Sequence, residues 1–232
     1  MKKILPYILP ILVLAGCASD TEQNGLNQIE QFYGCNVSFQ KSVVSSTDEG
    51  TKKSFEIELS GGSALDELPP KLVASNATLM MYNSMDGEGK SNYTHIKSRI
   101  VQNIDNTTTT TETEFPVADL HAVSVKQYLF SRCAELVINK DYDALIELFA
   151  PVISESFSKE QFVEYLGNSS VSQGEITGVE MKGFEIVDWG YEGETFKLIR
   201  MIGTIHRTNQ SKDYILAVKK DESDPQIYGI NL

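Results

Sequence analysis

Apolar and polar residues alternate with period two in several stretches of the first half of the chain. Tyr33, Cys35, Val37 and Phe39 alternate with polar or small neighbours. Phe55, Ile57 and Leu59 alternate with Glu56 and Glu58, and Ile96, Ser98 and Ile100 with Lys97 and Arg99. This alternation predicts half-buried strands. Turn-forming residues from Ser45 to Gly50 join the first two into a hairpin. Pro69-Pro70 open a helix from Leu72 to Met85, with apolar positions at Val73, Ala77 and Met80, and Asp86-Gly87-Glu88-Gly89 ends it. The run Thr107–Thr111, continued by Glu112-Thr113-Glu114-Phe115, reads as a fourth, edge strand or as a loop. The expected order over residues 32–119 is β-β-α-β-β.

The second half changes period. Val125, Tyr128, Leu129, Cys133, Leu136 and Val137 fall on one face of a helix. Asp141 caps a second helix carrying Leu145, Leu148 and Phe149, which Pro151 stops. Ser158 with Gln161 forms a capping box and Phe157 with Phe162 a hydrophobic staple, so a third helix starts there and is expected to end at Gly167. Only strand patterns follow: Ile176 to Trp189, with Gly178 and Gly183 as bulges, then Thr195 to Arg207, Lys212 to Lys219 and Gln226 to Ile230. The fold class is α+β, in two domains.

Three helices followed by long, bulged antiparallel strands resemble the cystatin-like cone of the nuclear-transport-factor-2-like superfamily. Asn139-Lys140-Asp141-Tyr142 leading into Leu148-Phe149-Ala150-Pro151, then Ser158-Lys159-Glu160-Gln161-Phe162, carry the likeness, as does the ending Ile227-Tyr228-Gly229-Ile230. The resemblance covers residues 120–232 and implies a curved sheet wrapped around helices. It does not imply one activity, because the superfamily holds isomerases, dehydratases, carriers and binding-only members.

The N-terminus reads as an address. Lys2-Lys3 precede an apolar run from Ile4 to Ala15, interrupted by Pro6 and Pro10, which is the plan of a secretory signal. The run falls short of the roughly 20 residues a spanning helix needs. Leu14-Ala15-Gly16-Cys17 resembles the lipobox of bacterial lipoproteins. That resemblance implies cleavage of residues 1–16, diacylglycerol on the Cys17 thiol and acylation of its new amine. Ala18 in place of Asp implies the outer membrane by the sorting rule of enteric bacteria. Residues 17–31, polar and poor in large apolar side chains, read as a tether.

The chain has 232 residues and a formal charge of -12, and removing Lys2 and Lys3 makes the mature chain more acidic still. A surface of that sign argues against nucleic-acid partners. No phosphate-binding glycine loop, Gly-X-Ser-X-Gly, His-Glu-X-X-His or Cys-X-X-Cys occurs, so no cofactor or metal is expected. His95, His121 and His206 are far apart in sequence. In enzymes with the cone fold, a Tyr, Asp or His in the open end moves a proton. Tyr128, Tyr165, Asp188, His206 and Tyr214 are the candidates here, Asp188 being either a buried general base beside Trp189 or a solvated turn residue before Gly190. Cys35 and Cys133 form either a disulfide or two separately buried thiols, and two free thiols are expected.

The expected protein is therefore lipid-anchored through Cys17 in the cell envelope. It acts by binding rather than catalysis, with an envelope protein or a second copy as partner. The alternative is a small-molecule carrier or proton-transfer enzyme using the cone cavity.

Overall fold

A computed structural model describes residues 12–14, 17–46, 50–105, 107–191 and 193–232. The chain divides into two compact units, with the boundary between His121 and Ala122. The expected leader, residues 1–16, lies outside the described residues apart from the backbone of a three-residue strand, β1 (Leu12–Leu14).

In the first unit, α1 (Asp20–Tyr33) precedes the hairpin β2 (Asn36–Ser46) and β3 (Gly50–Ser60). A crossover of α2 (Ser63–Glu67), α3 (Pro70–Ser84) and α4 (Gly87–Asn92) leads to a second hairpin, β4 (His95–Ile104) and β5 (Thr107–Pro116). The sheet order is β1-β2-β3-β4-β5. All neighbours are antiparallel except β3 and β4, which run parallel, as a crossover requires. The threonine run is thus an edge strand.

Alternation places Phe55, Ile57, Leu59, Ile96 and Ile100 inward, all buried. Against them lies α3, begun by Pro70 at its first position and buried nearly all round by the sheet and α1. Its polar side chains are satisfied locally: Asn76 donates to the Tyr33 hydroxyl at 2.9 Å, and Thr78 to the Ser75 carbonyl at 2.8 Å. The Ser98 hydroxyl reaches from the sheet to the Ala74 carbonyl at 3.1 Å.

The tether expected over residues 17–31 is corrected here. Asp20–Tyr33 is a helix with Leu26, Ile29 and Tyr33 buried. Ser19 and Glu22 close a full capping box at its start, and Gly34, left-handed at φ 58°, ends it. The strand therefore begins at Asn36, two residues after Gly34, and Tyr33 belongs to the helix. Gly25 lets α1 lie close on α3, since a Cβ there would stand 2.1 Å from Ser84 Oγ.

The boundary between the units falls within α5 (Val117–Lys126). The second unit continues with α6 (Tyr128–Ile138), α7 (Tyr142–Glu147), α8 (Pro151–Ser154) and α9 (Lys159–Gln173). It ends in a four-stranded antiparallel meander, β6 (Ile176–Tyr191), β7 (Glu194–Arg207), β8 (Ser211–Lys219) and β9 (Ile227–Asn231). Register shifts fall between Ile176 and Gly178 and between Met181 and Gly183, at the two expected bulges.

Three helical details differ from expectation. The helix expected from Val125 to Val137 is broken at Gln127, leaving Val125 and Tyr128 exposed while Leu129, Cys133, Leu136 and Val137 stay buried. A separate short turn, α8, uses Pro151 as its opening residue rather than only as a stop. The last helix runs through Gly167 to Gln173, Gly167 being no stop because glycine is tolerated inside a helix at a cost of about 1 kcal/mol against alanine. The staple forms as expected, with Phe157 and Phe162 ring centres 5.1 Å apart and both packing on Phe149.

Candidate functional site

Cys17 is exposed, and the short stretch from it to Ser19, just before α1, is tied to the first unit. The tie is a buried carboxylate. Glu22 Oε2 accepts from the Ser19 N–H at 2.6 Å and from Lys41 Nζ at 2.8 Å, while Oε1 accepts from the Tyr93 hydroxyl at 2.6 Å. Lys41 also donates to the Cys17 carbonyl at 3.1 Å. Burial alone pushes the Glu22 carboxyl up, but the hydrogen bonds from Lys41, Tyr93 and Ser19 outweigh it and hold it below its ordinary value. Burial and the bond to Glu22 push the Tyr93 phenol up, so it stays a donor. A shallow concavity beside this tie is lined by Cys17, Lys41, Asp86, Glu88, Asn92 and Tyr93, which puts α4 next to Cys17.

A second concavity, of about 400 Å³, lies over the sheet face opposite α1 and α3. Strand register lines up two rows across it, Gln40–Glu56–Lys97–Glu114 and Ser38–Glu58–Arg99–Glu112. Each cation sits between two carboxylates: Lys97 is 3.2 Å from Glu56 and 3.9 Å from Glu114, and Arg99 is 3.2 Å from Glu58 and 3.8 Å from Glu112. Glu56 is raised by burial and lowered by bonds from Ser42, Gln40 and Lys97, with the lowering dominant. The rows hold four carboxylates to two cations, with Lys52 also 2.6 Å from Glu114, so the face stays negatively charged while its cross-strand pairs fix register.

The proton-transfer candidates do not converge. Tyr128 and Tyr165 are more than half exposed. Asp188 is solvated and pairs with Lys197 at 3.4 Å, which corrects the buried-base alternative. His206 is half-exposed, 3.0 Å from the Ser211 hydroxyl and 3.8 Å from Glu180. Tyr214 is fully buried, its hydroxyl donating to the Phe130 carbonyl at 3.0 Å, with burial pushing its phenol far up. In the first unit, His121 Nδ1 is 3.0 Å from the Tyr82 hydroxyl and His95 Nδ1 is 2.9 Å from Thr94 Oγ1. Among the described residues, no group of three or more His, Cys, Asp or Glu is placed to hold a metal. Cys35 and Cys133 are free and buried, and burial pushes their thiols up to about 11 and about 12.

One further surface stands out on the second unit. The β6–β9 sheet turns Phe184, Ile199, Met201, Tyr214, Leu216 and Val218 toward its helices, where they are buried. Register then puts Val187 opposite Leu198, Trp189 opposite Phe196 and Ile202 opposite Ile215 on the outward face. Trp189 packs on Phe196 and Tyr228 with ring centres 5.1 and 5.9 Å apart, and Tyr191 stacks on it at 5.7 Å. These rings are half-buried or exposed.

Sequence reasoning named Cys17 but missed Glu22, Lys41 and Tyr93. The Ser19-X-X-Glu22 spacing could have announced the helix start, but no sequence signal brings Lys41 and Tyr93 to it. Comparisons with protein-family models, curated proteins and solved structures return no match for this chain.

Proposed function

We propose that this chain is a lipid-anchored cell-envelope protein, acylated at Cys17 and acting through protein binding without catalysis. The address rests on Leu14-Ala15-Gly16-Cys17 and the exposure of Cys17. Ala18 after it supports the outer membrane. The second unit is proposed to be a cystatin-like cone, a reading supported by helices α6 to α9 leading into four long antiparallel strands with two bulges.

The observation that carries the binding half is the outward face of β6–β9. Val187, Trp189, Phe196 and Tyr228 form an aromatic patch at one end of it, bordered by the Glu185–Arg200 pair and by Lys219 over the Phe196 ring, and half-exposed aromatic side chains rimmed by charges are what protein contacts favour. A second copy of the chain is the partner proposed first.

Trp189 is the single tryptophan of the sequence and lies on this face, so its emission reports the contact directly. Residues 17–232 with Cys17→Ser are expected to self-associate in sedimentation as concentration rises, with a blue shift of Trp189. Trp189→Lys should remove the association. A monomer with concentration-independent emission would overturn self-pairing through this face. For the address, Cys17→Ala in the full chain should abolish acylation and membrane retention after a carbonate wash; retention of the variant would overturn the anchor.

A further inference from the structure

We propose that the first unit sits directly on the lipid headgroups, with α4 and the Glu22–Lys41–Tyr93 cluster forming its membrane-facing end. The inference rests on the anchor reading above and specifies the surface that the bilayer meets.

Its basis is reach. Helix α1 begins at Asp20, three residues after Cys17. At roughly 3.5 Å per extended residue, an acylated Cys17 can hold the start of α1 no more than about 10 Å from the anchor point. Even that slack is taken up. The Cys17 carbonyl is held by Lys41, the Ser19 N–H by Glu22, and Glu22 by Tyr93 on the strand of chain just before β4. None of these bonds uses residues 1–16 or the amine and thiol of Cys17, so cleavage and acylation leave them intact.

The neighbouring surface follows from the same contacts, and it includes the tip of the β2–β3 hairpin, which runs five pairs past Lys41 to Ser46 and Gly50 on this side of the sheet. Asp86, Glu88 and Asn92 line the concavity that includes Cys17. The opposite end of the sheet is far away: β4 is ten residues long, which is about 30 Å at 3.3 Å per residue. Thr109, paired with Gln102, belongs to that distal end. The acidic side chains Asp20, Asp86 and Glu88 oppose an anionic lipid surface, with Lys90 offsetting them in part, since Lys41 is paired with Glu22. That repulsion is screened over about 8 Å at physiological salt, and it cannot lengthen a three-residue leash.

Energy transfer to lipid decides the matter. Full-length protein is expressed in a lipoprotein-processing host with Asn92→Cys, with Glu88→Cys as a second proximal position, or with Thr109→Cys. It is then donor-labelled and reconstituted in phosphatidylcholine vesicles carrying an acceptor headgroup. Cys35 and Cys133 are buried and stay unlabelled. Transfer from residues 88 and 92 is expected to exceed that from residue 109 several-fold. Inserting a twenty-residue Gly/Ser linker after Cys17 is expected to collapse the difference. Equal transfer from both ends in acylated protein, or no effect of the linker, would overturn the seating. Mass spectrometry of the same preparation separates the two ideas, because a Cys17 without acyl groups would overturn the anchor itself.

Discussion

Glu22 shows how one side chain can do the work of a short segment. It closes the capping box of α1, pairs with Lys41 and accepts from Tyr93 while almost fully buried. Glu22→Gln keeps the shape but loses a charged acceptor, and should cost on the order of 2 kcal/mol in denaturant unfolding at pH 7. The folded carboxyl titrates below its unfolded counterpart, so its contribution is fully present above the unfolded value near 4.3 and fades as pH falls through the folded one. The variant should therefore lose stability less steeply than the parent below about pH 4.5; parallel acid profiles would contradict this. A second expectation concerns the thiols. With Cys17→Ser, Cys35 and Cys133 should react with a thiol reagent at pH 8 only on unfolding, since each is buried and its thiolate disfavoured. Rapid reaction of either in the folded protein would count against its placement.

Between elements, the second unit turns on a glycine that periodicity does not mark. Gly203 on β7 lies beneath Phe130 of α6, and a Cβ there would stand 2.0 Å from the Glu180 carbonyl and 2.8 Å from the Phe130 ring. Tyr214, its partner on β8, packs on Phe130 with ring centres 4.3 Å apart and donates to the Phe130 carbonyl. Gly203→Ala should thus separate β6 from β7 and lift α6, costing at least about 2 kcal/mol, the range of overpacked cores. Gly167→Ala, with open space around it inside α9, should be neutral or stabilising by about 0.5–1 kcal/mol. The contrast between the two substitutions in thermal unfolding is the check. Gly178 and Gly183 are legible as bulges because they interrupt an alternating strand; Gly203 is not, because its constraint comes from the Glu180 carbonyl of the paired strand and from a helix about seventy residues earlier.

For the whole molecule, the division at His121 and Ala122 predicts that residues 117–232, which keep α5 whole, unfold cooperatively on their own. A broad, non-cooperative transition in urea would show that the second unit needs the first. Among the described residues, removing residues 1–16 takes away β1, three edge pairs opposite Lys41, Ser42 and Val43. The remaining chain should match the full one in urea midpoint to within about 1 kcal/mol.

What the sequence determined is the set of features that depend on near neighbours. Alternation placed most strands of both sheets, leaving Thr107–Phe115 open between strand and loop, prolines and capping residues placed helix starts, and the Leu14–Cys17 motif marked the expected anchor. Each is a local pattern, because strand pleat, helix turn and capping act over a few residues. Tertiary structure decided what depends on residues brought together from afar. The stretch read as a tether became α1, because Leu26, Ile29 and Tyr33 find a partner only once α3 is packed on the sheet. Asp188 and Tyr214, both named as candidates along the chain, are sorted by burial into a solvated ion pair and a core hydrogen bond. The inward and outward faces of β6–β9 both carry apolar residues in sequence, and the placement of α6 on one of them decides which becomes core.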